Sequence, residues 1–216
     1  MITNAQEQND ADFSSISLES LGCHLIFGEI NETSMKDAVT FLLKANLLFQ
    51  KKELTFYINS TGGSCRDGFA LIDLMSVSRL PISTVSSGAI CSMGVLIACA
   101  GQKGKRVMTR NTEIMVHQFA SESSGKFHEL MAQQTAHQYL AHQFVEHFKR
   151  HSTMPEKLIK KILFGPSDVW LTPAECKKYG LIDTIIDELP TVASVDEQLS
   201  HQQSAQKPKT AKRKKR

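Results

Sequence analysis

Of the 216 residues, 41% are hydrophobic and 22% charged, with 12 Gly and 6 Pro. This composition excludes collagen-like and low-complexity chains and fits one globular domain with a substantial core. The formal charge of +3 is uneven: residues 207–216 hold seven basic groups and no acid, leaving 18 basic against 22 acidic residues before them, a charge of −4. Five scattered cysteines (Cys23, Cys65, Cys91, Cys99, Cys176) without a CxxC pair argue against a disulfide framework or a zinc ribbon and fit a reducing compartment. The polar start, with no basic n-region, reads as no signal peptide. The uncharged stretch Leu80–Gln102 holds too many Ser, Thr, Gly and Pro for a membrane span and reads as buried core.

In chain order, residues 1–20 read as a flexible lead-in. Leu25-Ile26-Phe27, closed by Gly28, reads as a strand. Asn31, Thr33 and Ser34 offer N-cap oxygens, and Met35, Val39, Leu42, Leu43 and Leu47 recur at helical spacing, predicting a helix over 34–49. Leu54–Ile58 is a strand by its β-branched and aromatic content, stopping at the turn Asn59-Ser60-Thr61-Gly62-Gly63. A helix follows over 66–79, with Phe69, Ile72 and Leu74/Met75 inward. Ile82–Val85 reads as a short strand and Cys91–Ala100 as a helix buried all round.

Arg106–Thr109 and Glu113–Gln118 read as strands. Residues 126–150 form one long helix with Phe127, Leu130/Met131, Leu140/Ala141, Phe144 and Phe148 on a stripe, and another helix follows over 155–163. Thr172-Pro173-Ala174-Glu175, with Gly180 beyond, combines an N-cap, Pro in the first turn, a capping-box Glu and a Gly stop. Leu181–Ile186 closes the core as a strand. The apolar pattern fades after Thr191, and 198–216 read as disordered. Alternating strands and helices make the class α/β.

Three residues stand where chemistry is feasible. Ser92, in Gly88-Ala89-Ile90-Cys91-Ser92-Met93-Gly94, falls where a strand and turn pass into the apolar helix. Its hydroxyl is thereby near N-terminal backbone N–H groups, although the local sequence by itself reads first as a simple helix cap. His117 ends the run Glu113–Gln118, where an imidazole can face a cleft as a general base. Asp168 is an acid among apolar residues before the capped helix, a position also open to a plain turn-forming Asp. The Gly62-Gly63 pair allows bare backbone to approach a ligand and donate to an oxyanion.

Taken together and in order, Ile58-Asn59-Ser60-Thr61-Gly62-Gly63, Cys91-Ser92-Met93-Gly94, Met115-Val116-His117-Gln118 and Asp168–Glu175 with Tyr179-Gly180-Leu181-Ile182-Asp183 resemble the Clp protease proteolytic-subunit (ClpP) family, from about Leu25 to Asp187. The resemblance implies a ClpP/crotonase-like core of stacked strand–helix units with a protruding helical handle at 126–150. It implies a peptidase domain over 21–190, followed by a basic tail over 191–216. By the same resemblance Ser92 is the nucleophile, His117 the base and Asp168 its orienting acid, with the backbone N–H groups of Gly63 and Met93 as the oxyanion hole. No metal or organic cofactor is implied, and ATP is spent by an AAA+ unfoldase partner. The family assembles as stacked homo-oligomeric rings that enclose unfolded protein substrates, with a cytoplasmic location and no membrane association.

The sequence departs from the family pattern in five places, the first being the lead-in 1–20, which is unlike the family's axial-loop sequence. Thr61 replaces Pro, Cys91 replaces Ala, and Ser167 replaces an Arg that couples ring contacts to the triad. The segment 120–126 replaces a Gly-rich substrate-binding segment. His128, His137, His142, His147 and His151 read as a solvated helix face, although His147 and His151 have metal-ligand spacing (i,i+4). The tail offers the one route to nucleic acid. Two other readings remain at this level: a catalytically silent ring subunit, and an acyl-CoA hydratase/isomerase of the crotonase fold.

Overall fold

The computed structural model describes residues 17–48 and 53–189; the predicted lead-in up to residue 16 and the basic tail lie outside them. One compact unit runs to Ile185 and a second begins at Ile186. A 3₁₀ turn (Glu19–Leu21) precedes strand β1 (Cys23–Ile30), helix α1 (Glu32–Leu48), β2 (Leu54–Gly63), α2 (Cys65–Ser76), β3 (Ile82–Cys91) and α3 (Met93–Cys99). There follow β4 (Arg106–Thr109), β5 (Glu113–Val116), α4 (Phe127–His151), α5 (Glu156–Phe164), β6 (Val169–Leu171), α6 (Pro173–Lys178) and β7 (Thr184–Ile186).

The strands form one sheet, ordered β1-β2-β3-β4-β7, with β5 on β3 and β6 on β5. β1 through β5 pair in parallel and β6 joins antiparallel. The parallel pairing follows from the strand–helix–strand connections, since a helix between two strands carries the chain back to its starting edge. This is the α/β class expected from the sequence.

One face of β2 sends Leu54, Phe56 and Ile58 into the core, each fully buried, while the alternate residues Thr55, Tyr57 and Asn59 are half-buried. This is the period of two that a strand with one covered face requires. Leu71, Ile72 and Met75 of α2, Met35, Phe41 and Leu42 of α1, and the apolar side chains of α3 join Leu54, Phe56 and Ile58 in one core cluster. Helix α3 is apolar on all sides because β2, β3 and α2 pack around it.

Helix starts follow their capping chemistry. The Asn31 side chain accepts from the Ser34 N–H while the Ser34 hydroxyl oxygen accepts from the Asn31 N–H, both at 3.0 Å. At α6 the Glu175 N–H donates to Thr172 Oγ1 at 3.2 Å and the Thr172 N–H to Glu175 Oε2 at 2.8 Å, with Pro173 in the first turn. Each reciprocal pair satisfies donors that a helix end leaves without partners.

Several expectations are corrected. β1 continues through Gly28 (φ 83°), which lies in a bulge between Phe27 and Glu29. β2 does not stop at Asn59 but pairs with β1 as far as Gly63, because the glycines extend the strand instead of turning it. β3 runs to Cys91 rather than Val85, and the last strand is confined to Thr184–Ile186. The long helix spans Phe127–His151, but only its second half is seated: Phe144, Val145, His147 and Phe148 are buried. Phe127 (81% exposed), Met131 and Tyr139 face solvent. His147 is buried, not solvated: its Nε2 lies 2.9 Å from the Leu96 carbonyl and 3.3 Å from Cys99 Sγ on α3. Burial lowers its pKa to about 3, with the charges of His151 and Arg150 adding to the effect, so it packs as a neutral ring.

Where the strands begin, Arg106 (4% exposed) is held by Asp183. Its Nη2 meets Oδ1 at 2.7 Å, while its Nε and backbone N–H both reach Oδ2 at 3.0 Å. The Gly104 N–H completes the carboxylate at 2.7 Å, and Arg106 Nη1 donates to the His151 carbonyl at 2.6 Å. Burial works to raise the Asp183 pKa, but these hydrogen bonds and the guanidinium charge outweigh it and hold the carboxyl below its ordinary value.

Candidate active site

The opposite ends of the strands gather the residues singled out in the sequence. Cys91, the last residue of β3, pairs with Met115 of β5, and the Ser92 N–H donates to the Met115 carbonyl at 2.9 Å. His117 directly follows β5. Asp168 directly precedes β6, which runs back along β5 with Val116 opposite Val169. His117 and Asp168 each stand one residue beyond that last pair, at the same end of the β5–β6 ladder. Gln118 Nε2 donates to the Gly165 carbonyl at 3.4 Å, tying the residue beyond His117 to the bend before Asp168.

Ser92, His117 and Asp168 therefore share one corner of the sheet, although no hydrogen bond among the described residues links their side chains. Ser92 and His117 are half-buried and Asp168 is exposed. Catalytic hydrogen bonds are often long in unliganded sites and tighten with substrate.

Ser92 has φ 52° and ψ −124°, and it is the one non-glycine residue with positive φ among the described residues. A side-chain-bearing residue in such a conformation costs on the order of 1–3 kcal/mol and persists where its surroundings over-determine it. Ser92 stands at the N-cap of α3 and its carbonyl accepts from the Val95 N–H at 3.0 Å, but its hydroxyl makes no capping hydrogen bond, so capping does not account for the side chain. The α3 helix behind it is wholly buried, and the Met93 side chain rests on Gly68 of α2, where a Cβ would come within 2.4 Å of Met93 Cγ.

The Gly62-Gly63 pair lies against this serine. A Cβ on Gly62 (φ 99°) would stand 2.6 Å from Ser92 Cβ, 2.9 Å from the Cys91 carbonyl and 3.1 Å from Met93 N. A Cβ on Gly63 (φ 144°) would strike the Ile30 carbonyl oxygen at 2.2 Å. Both positions thus require glycine on grounds of space as well as conformation; the Gly62 backbone is brought beside the first turn of α3, while Gly63, the next residue, is packed on Ile30 of β1.

Cys91 is buried, and that burial raises its thiol pKa. A thiol without thiolate character is a packing group rather than a nucleophile. Among the described residues no group of three or more His, Cys, Asp or Glu is placed to hold a metal ion, and no helix is long and apolar enough to cross a membrane.

Sequence reasoning overlooked Ser60 and Asn59. Ser60 continues the inward series of Leu54, Phe56 and Ile58 with a fully buried hydroxyl, and that break in an apolar period-two pattern was the available signal. The Asn59 side-chain oxygen accepts from the Ala89 N–H at 3.1 Å and lies against Gly88, which shapes β3 on its way to Ser92.

Parallel strand–helix units ending in a conformationally strained serine, a facing glycine pair and a histidine–aspartate corner define an α/β protein with its site at the carboxyl ends of the strands. The Clp protease family model matches residues 11–189, and the chain belongs to that family. It is 35% identical over 139 residues to the ATP-dependent Clp protease proteolytic subunit of Deinococcus radiodurans, covering 64% of this chain and 67% of that protein. It is 33% identical over 143 residues to the ATP-dependent Clp protease proteolytic subunit 2 of Thermobifida fusca, covering 66% and 70%.

Proposed function

We propose that this chain is a serine endopeptidase acting through Ser92, His117 and Asp168. The observation that carries the reading is the φ of 52° at Ser92, strain at a buried strand-to-helix junction that shares a corner with the other two residues. Ser92 Oγ attacks a peptide carbonyl as His117 takes its proton. Asp168 holds the imidazole tautomer and stabilises the imidazolium. The developing oxyanion is met by the backbone N–H groups of Gly63 and Met93. His117 then returns the proton to the leaving amine, and water hydrolyses the acyl-enzyme by the reverse sequence. The chemistry draws on no metal or organic cofactor.

Both relatives are named as proteolytic subunits of an ATP-dependent protease. We extend that arrangement to this chain: a homo-oligomeric, chambered peptidase, cytoplasmic, receiving unfolded protein from a separate AAA+ unfoldase that spends the ATP. Enclosure suits a nucleophile with no evident means of rejecting folded proteins. The basic tail, outside the described residues, is the part with the charge to meet nucleic acid.

The test is fluorophosphonate labelling of the full-length protein, located by peptide mass spectrometry, with oligomer size measured on the same sample. The expected result is a single adduct on Ser92, lost in His117→Ala. An assembled but unlabelled ring would replace this reading with that of a silent subunit.

A further inference from the structure

Both pairings of β2 slip near its carboxyl end. The β1 register shifts across Gly28, and the β3 register shifts between Ile58 and Ser60, where Ser60 comes opposite Ile90. A bulge removes ladder partners from the backbone groups it contains, and buried backbone groups need replacements. Ser60 supplies them. Its hydroxyl, 1% exposed, donates to the Gly28 carbonyl at 2.6 Å and accepts from the Gly62 N–H at 3.1 Å. Its own carbonyl lies where Gly94 of α3 comes closest, 2.8 Å from the site of an absent Cβ.

Ser60 thus ties together the β1 bulge, the glycine pair and the nucleophile helix. Gly62, whose N–H it fixes, is packed on Ser92 Cβ and Met93 N, and Gly63 comes next in the chain.

We propose that Ser60 is a positioning residue for catalysis: its hydroxyl sets the Gly62-Gly63 backbone against Ser92 and so aims the Gly63 N–H at the developing oxyanion. The inference rests on the peptidase reading and adds to it a residue that touches neither substrate nor reacting atoms. A misaimed donor weakens transition-state stabilisation while leaving ground-state peptide binding largely intact.

The test uses the assembled full-length protein, with competent sites counted by stoichiometric fluorophosphonate uptake. For Ser60→Ala, kcat per titrated site on a small fluorogenic peptide should fall about 10–100-fold, with KM changed by less than about twofold. Affinity for a peptide aldehyde, whose serine adduct places an oxygen in the oxyanion position, should fall with kcat/KM. Ser60→Cys keeps a weaker donor of similar size and should fall between wild type and Ser60→Ala. If Ser60→Ala does not fold, Ser60→Cys carries the comparison on the same criterion. A wild-type kcat per titrated site in the variants, with merely fewer competent sites, would make Ser60 structural and overturn the proposal while leaving the peptidase reading intact. A wild-type protein that takes no label and cleaves no peptide would overturn both.

Discussion

Where the parallel strands begin, the Asp183 carboxylate collects four donors and Arg106 is closed off from water. Where the same strands end, Ser92 is held at φ 52°, and His117 and Asp168 carry side chains not bonded to each other or to Ser92. Polar groups at the first end are engaged in holding the fold. At the second, Ser60 and Asn59 also hold the fold, but Ser92, His117 and Asp168 are not bonded to one another, and Ser92 is strained. Satisfied polar groups and backbone strain are separated along one set of strands, with the satisfied end securing a frame against which the strained end is kept in place.

The largest expected effect tests the strained end. Ser92→Gly removes the proposed nucleophile and relieves the positive φ, so peptide hydrolysis should fall by at least about 10³-fold. Relief of about 1–3 kcal/mol of backbone strain outweighs or cancels the roughly 0.5–1 kcal/mol that glycine costs in chain entropy. The Tm should therefore equal or exceed that of the parent. A Tm lowered by more than about 5 °C would show the serine to be a stabilising residue and remove the contrast.

Asp183→Ala probes the other end. It leaves a buried guanidinium without its carboxylate and should cost about 3–5 kcal/mol in denaturant unfolding, with kcat per titrated site unchanged. Because the folded pKa of Asp183 lies below its unfolded value of about 4, the pair contributes in full above that pH. Its contribution is lost as pH falls through the folded value. A selective loss of kcat in Asp183→Ala would mean that the two ends are coupled.

The smallest effect concerns His147, between the two ends on α4. Its folded pKa of about 3 lies below the unfolded value of about 6.5, so stability is complete above pH 6.5 and is withdrawn as pH falls toward 3. Lowering the pH from 7 to 5 should cost the parent about 2 kcal/mol from this group. His147→Leu should show a shallower decline over that range, with His24 and His151, also lowered by burial, supplying a remainder. Equal pH slopes in parent and variant would show that the ring is not neutral as packed.

The α/β class, the all-round burial of α3 and the capped start of α6 were legible in the sequence because each rests on local chemistry: alternation, uniform apolarity, and an N-cap with its Glu. Strand ends were not. Asn59 through Gly63 and Gly88 carry turn residues, yet they remain in strands because neighbouring strands supply pairing that a single chain segment does not reveal. The depth of His147 was hidden for a related reason. Helical spacing defines a face, but the α3 carbonyl and thiol that receive the imidazole come from about 50 residues earlier. At the site, residue types and their order marked Ser92, His117, Asp168 and the glycine pair. The strain at Ser92 and the tie through Ser60 depend on packing between segments and needed coordinates.

The three-residue strand β6 has a consequence for how the chain tolerates insertions and deletions. Asp168 owes its place to the pairing of Val169 with Val116, and side chains alternate faces along a strand. An extra residue in the bend at 165–167 can be absorbed as a longer loop at small entropic cost. One residue added or removed within Val169–Leu171 would turn Trp170 and its neighbours to the opposite face and slide Asp168 out of step with His117. Length variation at this corner should therefore be admitted before Asp168 and refused after it, a rule that a scan of single-residue insertions and deletions across 163–173 can read directly from retained peptidase activity.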